Sequence, residues 1–357
     1  MRVGLVFGGR SVEHQVSVRS ARTVGAALEQ AGHEVLPLPI GPDGGWLAPE
    51  LGRRALVGEI ESLPAAEVAV RATLSRLVEA EVDVIFPLVH GTFGEDGTLQ
   101  GLCEMADLPY VGADVTASAV AMDKLLAKKI LAAAGIPVVD YESVSRLEFA
   151  ADAEKVLARV GRLGPPPLFV KPSVGGSSVG VVKVESADRL GSSIAQALAL
   201  DDNALVELSI EGRELECAVL GYPEVAASVL GEIRPGHEFY DYADKYLEDG
   251  AEILCPAELD DQLAARIRAA AAAAFAAIGG TGMARVDFLL AGERFWINEI
   301  NTLPGFTSIS MYPMLWEASG VAPVELVDRL VRAALARHAD RRALDQRIRA
   351  WLAELAE

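Results

Sequence analysis

The stretch Met283-Ala284-Arg285-Val286-Asp287, followed by Trp296-Ile297-Asn298-Glu299-Ile300-Asn301, aims a cation, two carboxylates and an amide out of two short apolar runs. Side chains alternate between faces along a strand, so Glu299 and Asn301 share one face of the second run. Gly292 supplies a hairpin turn between the runs. Two carboxylates held about 4 Å apart repel by roughly 4 kcal/mol at an effective dielectric near 20, so a buried pair requires a cation. All-oxygen ligands favour Mg²⁺ or Mn²⁺ over zinc, which makes Asp287, Glu299 and Asn301 candidate metal ligands. The competing reading is a hairpin with salt-bridged surface carboxylates, and the remainder of the chain weighs against it.

The 357 residues suffice for two or three domains, each with its own core. A formal net charge of −19 repels the phosphates of nucleic acids and anionic lipid surfaces, so neither is an expected partner. A bound phosphate must then be held by local cations, backbone N–H groups or metal. Cys103, Cys217 and Cys255 lie far apart with no CxxC pair, which argues against a zinc knuckle or a disulfide framework and suits a reducing cytoplasm. The apolar run Val3 to Phe7 is too short for a signal peptide, and the alanine-rich run Ala269 to Ile278 falls well short of the roughly 20 residues of a bilayer span.

Outward from the hairpin, the chain opens as β-α-β: Val3 to Phe7 ends in Gly8-Gly9, a helical pattern runs from about Glu13 to Gln30, and a strand follows from Glu34. A buried-type strand, Val82 to Pro87, leads into His90-Gly91-Thr92-Phe93-Gly94-Glu95-Asp96-Gly97. Open parallel sheets carry their ligand loops at the carboxyl ends of strands, so both glycine-containing loops are candidates for one crevice. Asp123 to Ala134 is an amphipathic helix bearing Lys124, Lys128 and Lys129, stopped by Gly135 and Pro137. A strand ending at Lys171 precedes the glycine- and serine-rich turn Ser173 to Gly180, and a strand ending in Glu207 precedes a polar turn at Glu211-Gly212-Arg213, a domain boundary. The acidic, aromatic segment His237 to Gly250 is long for a connector, and the chain from about Val324 is helical and highly charged.

Gly175-Gly176-Ser177-Ser178-Val179-Gly180 admits three readings. As Gly-x-Ser-x-Gly it matches a hydrolase nucleophile elbow, with Ser178 as nucleophile, but that motif needs an immediate helix and Val181, Val182 and Val184 continue as a strand. A plain flexible hairpin is the second. The favoured one is a phosphate-covering loop, in which glycines let N–H groups approach oxyanions and Lys171 supplies charge. No GxxxxGK[ST] and no intact GxGxxG occur, which excludes a P-loop and weakens a hydride-transfer reading. No HExxH pair exists, and only His90 sits at a strand's carboxyl end beside glycines. Lys124, Lys171, a glycine-serine loop, acidic metal ligands and Arg285 are the parts required for phosphoryl transfer from a metal nucleotide.

Gly8-Gly9-Arg10-Ser11-Val12-Glu13, then His90-Gly91 with Gly94-Glu95-Asp96-Gly97, then Asn301-Thr302-Leu303-Pro304-Gly305-Phe306-Thr307 occur in this order. In this the chain resembles the D-alanine:D-alanine ligases of the ATP-grasp superfamily, over roughly Val3 to Ala336. The resemblance implies an α/β and α+β architecture, an ATP-grasp fold with an N-terminal α/β parallel-sheet domain. It divides the chain into 1–112, which contributes to the first substrate site, a central ATP-grasp domain at 113–210, a C-terminal ATP-grasp domain with the metal site at 211–345, and a helical tail at 346–357.

The same resemblance implies the site. Lys124, Lys171, Ser178, Glu207, Glu214 and Lys245 would contact ATP, and Asp287, Glu299 and Asn301 would ligate two Mg²⁺ or Mn²⁺ ions. Glu13 would bind the ammonium of the first D-alanine with His90 nearby, and Ser310 the carboxylate of the second. Arg285 and the N–H of Gly305 would stabilise a tetrahedral oxyanion, while Glu13, Ser177 and Tyr246 would link the loops that exclude water. Tyr246 points to the dipeptide-forming type rather than to makers of D-alanyl-D-lactate. Val174-Gly175 departs from the bulkier or charged residues that many relatives carry there. A cytoplasmic homodimer serving peptidoglycan synthesis is expected. The rivals are a ligase for another D-amino or hydroxy acid and a nucleotide-binding sensor without turnover.

Overall fold

The structure, a computed structural model, describes residues 1–234 and 252–356. Three sheets form it. The first is parallel, ordered β2-β1-β3 from β1 (Arg2–Gly8), β2 (Glu34–Ile40) and β3 (Val84–Pro87). The second is antiparallel, ordered β4-β7-β5-β6 from β4 (Tyr141–Ser145), β5 (Leu168–Pro172), β6 (Val182–Val184) and β7 (Asn203–Leu208). The third is antiparallel, ordered β10-β9-β8-β11-β12 from β8 (Arg213–Gly221), β9 (Val225–Arg234), β10 (Glu252–Leu254), β11 (Gly282–Ala291) and β12 (Arg294–Asn301). This is the α/β plus α+β arrangement that the resemblance implied.

The opening β-α-β unit places the helix His14–Gln30 between parallel strands β1 and β2. Its turn depends on glycine: Gly8 has φ of +93°, and a Cβ there would lie 2.2 Å from the carbonyl oxygen of Ile40. One face of this sheet packs Val3, Leu5 and Phe7 against Val18, Val24 and Leu28 in a core that Tyr312, Leu326, Leu330 and Val331 complete from the far end of the chain. The helix Pro323–Glu354 therefore covers the N-terminal sheet with its first half. Its second half carries exposed Leu344, Ile348, Trp351 and Leu352.

Around the five-stranded sheet, Ala284, Val286, Phe288 and Leu290 alternate inward and meet Ile267, Ala271 and Phe275 of the helix Asp261–Ala277. Ala113, Ala117, Ala121 and Leu131 join this same core, although they precede the four-stranded sheet in the chain. The four-stranded sheet has its own core of Val144, Val156, Leu168, Val170, Ile194 and Val206. No helix among the described residues is long and apolar enough to cross a membrane.

Candidate active site

The β11–β12 hairpin builds one wall. Asp287 pairs with Glu299 and Arg285 with Asn301, so all four side chains share one face. Ile297 and Ile300 are both buried although three residues apart, which strict alternation forbids. A bulge resolves this, because the register shifts between Asp287 and Phe288, which faces Ile297, leaving Asn298 as the extra residue. On the other side of β11, Glu216 of β8 stands opposite Asp287. Three carboxylates thus follow one another across three strands. Arg285 answers them: its Nε and a terminal nitrogen donate to the two Asp287 oxygens at 2.7 Å each, and Nε lies 3.0 Å from Glu216 Oε2. Burial alone would depress the guanidinium, but Asp287 and Glu216 hold it firmly protonated. Asn301 Oδ1 accepts from the N–H of Leu303 at 2.9 Å and so starts the turn toward Gly305.

A second wall comes from the parallel sheet, where the loops after β1 and β3 leave the same edge. Ser17 ties them, its Oγ accepting from the N–H of Gly8 at 2.7 Å and donating to the carbonyl of Leu88 at 2.5 Å. Glu13 is the N-cap residue of the helix His14–Gln30. His90 is 3% exposed and its Nδ1 sits 3.0 Å from the carbonyl of Leu303, so Nδ1 carries the proton. Nδ1 is also 3.5 Å from Glu95 Oε1. Burial would lower the His90 pKa, but the Glu95 hydrogen bond and the charge on Glu13 raise it above its ordinary value. Gly305 has little room, since a Cβ there would lie 2.9 Å from Ser310 Oγ. Ser310 Oγ in turn accepts from the N–H of Thr307 at 3.0 Å, at the N-terminus of the helix Met311–Ala318.

The third wall belongs to the four-stranded sheet and the helix Lys124–Ala133. Asp123 caps that helix, accepting at one oxygen from the N–H groups of Leu125 and Leu126 and from the Ser173 hydroxyl. Lys124 Nζ donates to the Gly175 carbonyl at 2.6 Å and stands 3.9 Å from Glu299. Lys171 Nζ lies 2.6 Å from Glu207 and 3.2 Å from Asn298 Oδ1. Burial favours the neutral Glu207 acid, but Lys171 and Lys128 hold its carboxyl down at about 2. In the glycine-serine loop no helix follows Ser178, so the strand-turn-helix of a nucleophile elbow is absent among the described residues. Ser177 and Ser178 take left-handed φ of 52° and 58°, and Ser177 Oγ is buried with no hydrogen-bond partner among the described residues.

Two cavities lie between these walls. One, about 770 Å³, is lined by Glu13, His90, Asn301, Gly305 and Ser310. The other, about 470 Å³, is lined by Lys171, Ser178, Glu207, Glu214 and Asp287. They meet at Lys124, Ser177, Glu216, Arg285 and Glu299, which line both. Every described residue to which the resemblance gave a substrate, nucleotide, metal or catalytic role borders one cavity or the other, whereas Lys245 and Tyr246 lie outside the described residues. Sequence reasoning missed Glu216 and gave Glu95 no role. Glu216 was findable, because Glu214-Leu215-Glu216 alternates as Glu299 and Asn301 do. The partnership of Glu95 with His90 depends on how a loop folds back, which no spacing announces. Among the described residues no group of three or more His, Cys, Asp or Glu is already arranged to hold a metal ion. Arg285 stands 2.7 Å from Asp287.

A wall of acids between a lysine-lined cavity and a mixed polar cavity invites comparison with known proteins. Residues 2–113 match the family described as D-ala D-ala ligase N-terminus, and residues 130–332 match D-ala D-ala ligase C-terminus. A D-alanine–D-alanine ligase of Chloroherpeton thalassium is 43% identical, over 96% of this chain and 98% of that protein. One from Mycobacterium bovis is 46% identical, over 94% and 96%. Among solved structures, the D-alanine-D-alanine ligase from Coxiella burnetii superposes with a TM-score of 0.84 at 36% identity, covering 100% of this chain and 99% of that one. The D-Ala:D-Ser ligase from Enterococcus faecalis gives 0.79 at 33%, covering 93% and 99%. With nearly the whole length matched at such identity, the chain belongs to the D-alanine–D-alanine ligase family.

Proposed function

We propose that the smaller cavity receives ATP, the larger one two D-alanine molecules, and that the reacting atoms meet at the wall of Arg285, Glu299 and Lys124 that both cavities share. The chain is an ATP-dependent ligase forming D-alanyl-D-alanine for peptidoglycan synthesis. The observation that carries the site assignment is this shared wall: a carboxylate held in one cavity can reach a phosphoryl group held in the other only across it.

Lys171, Lys124 and Ser178 bind and orient the nucleotide phosphates, Glu214 the ribose, and Glu207 lies beside the base and holds Lys171. Glu13 fixes the first substrate's ammonium, with His90 behind it. One carboxylate oxygen of that substrate then takes the γ-phosphoryl group, which turns a poor acyl donor into one with a good leaving group. The second substrate, its own carboxylate held by Ser310 at a helix N-terminus, attacks this carbonyl carbon through its amine. Arg285 and the N–H of Gly305 stabilise the oxyanion, and collapse expels phosphate and leaves the peptide bond. Ser177 and Tyr246 close the loops and exclude water.

The donor set fits a hard divalent ion. Glu299, Asp287 and Asn301 offer only oxygen ligands, and the wall sets three carboxylates, Glu216, Asp287 and Glu299, side by side across neighbouring strands. When bound, Mg²⁺ or Mn²⁺ ions would screen the charge of the transferring phosphoryl group. The protein acts as a cytoplasmic homodimer, for which light scattering should return a dimeric mass; a monomeric mass at every concentration rejects that part. The activity itself is tested by incubating the purified protein with ATP, Mg²⁺ and D-alanine. ADP, phosphate and dipeptide should appear in equal amounts, and ADP without dipeptide would overturn the assignment. Competition with D-serine and D-lactate separates this function from the related ligases.

A further inference from the structure

We propose that Lys128, which borders neither cavity, is a positioning residue that shares Glu207 with Lys171, so that this carboxylate neutralises Lys171 less and holds it facing the nucleotide. The proposal rests on the smaller cavity being the ATP site. Lys124 and Lys128 stand one turn apart on the helix Lys124–Ala133 and therefore share a face. Lys124 opens to both cavities. Lys128 instead turns inward and is 2% exposed. Its Nζ lies 2.5 Å from Glu207 Oε1, 3.5 Å from the carbonyl of Val139 and 5.6 Å from the centre of the Tyr141 ring.

Glu207 is 3% exposed and its other oxygen lies 2.6 Å from Lys171 Nζ. One buried carboxylate is thus shared by two ammonium groups. An isolated Lys171–Glu207 pair would be neutral, and Glu214 and Glu299 also face Lys171 with negative charge. Lys128, which Asp140 faces in turn, adds one positive charge to this acidic surround, and Lys171 is the lysine that borders the cavity. Burying Lys128 is costly, and burial pushes its pKa down. Replacing it with an apolar residue would fill the same space, so packing alone gives no reason for an ammonium here. Holding Glu207 by both oxygens also fixes the carboxylate against rotation and thereby fixes where Lys171 points.

A series of variants at Lys128 separates this from a role in folding alone. K128M keeps most of the stem and removes one positive charge from the trio, K128Q removes the charge but keeps an amide donor toward Glu207, and K128R keeps the charge. We expect K128M to raise the KM for ATP about tenfold with kcat within about twofold, the signature of lost ground-state binding. K128Q should be impaired as K128M is, and K128R should stay within about threefold of the parent. The Kd for ATP and Mg²⁺ in the absence of D-alanine should follow the same order. A K128Q that matches the parent, or a K128R as impaired as K128M, would overturn the proposal. So would an unchanged KM in K128M. Should K128M fail to accumulate, K128R and K128Q still decide. A parent protein that binds no ATP would instead refute the reading of the cavity, and the proposal with it.

Discussion

Arg285 serves two demands at once: it compensates Asp287 and Glu216 in the resting site, and in the proposed mechanism it stabilises the oxyanion. Lysine retains its charge but not the planar fork that bonds Asp287 twice. R285K should therefore lower kcat by about 10²- to 10³-fold, the loss typical of one oxyanion donor, read by dipeptide release at saturating substrates. A loss confined to KM would assign Arg285 to binding. His90 gives a second test at this scale. Its pKa is raised on folding, so its stabilising contribution is complete below the ordinary value of 6.5 and is lost as pH climbs through the higher folded value. In urea unfolding, the stability advantage of the parent over H90Q should shrink as pH rises past this window; a constant difference would show that the ring's charge contributes nothing. The role of Glu95 in this titration could not be read from the sequence, since a raised histidine pKa needs the carboxylate's position and not merely its presence in a glycine-rich loop.

Among elements, the helix Lys124–Ala133 concentrates the most function in the fewest residues, carrying Lys124 at the junction of the cavities and Lys128 behind Glu207. Its start is set by Asp123, so D123A should destabilise the fold by about 0.5 to 2 kcal/mol, measured from the denaturation midpoint. Because Ser173 also bonds Asp123, activity should fall with stability; an unchanged midpoint would mean that the cap is dispensable. Strands and helices of this kind were legible in advance because their signals are local: Asp before an amphipathic run, Gly292 between two alternating runs, Gly8-Gly9 after an apolar pentamer. The bulge at Asn298 was not, although Ile297 and Ile300 record it as two core residues at a spacing that a regular strand cannot bury. Nor could spacing reveal that Ala117 and Leu131 pack with the five-stranded sheet that follows much later in the chain, because apolar residues do not name their partners.

For the molecule as a whole, two cavities built by three sheets share one wall, and that wall is the hairpin from which the function was first read. Long-range assembly explains why motifs far apart in sequence had to be joined by resemblance and not by periodicity. Glu13 and Arg285 are separated by most of the chain, yet they line one cavity, since the helix Pro323–Glu354 returns to cover the first sheet. The central claim is that a substrate carboxylate is activated by phosphorylation across this wall before the amine attacks. It predicts an atom transfer that no other route gives. With D-alanine labelled by ¹⁸O in its carboxylate, each phosphate released should carry one labelled oxygen, followed by mass spectrometry. Phosphate free of label, with ADP and dipeptide still formed in equal amounts, would contradict the account.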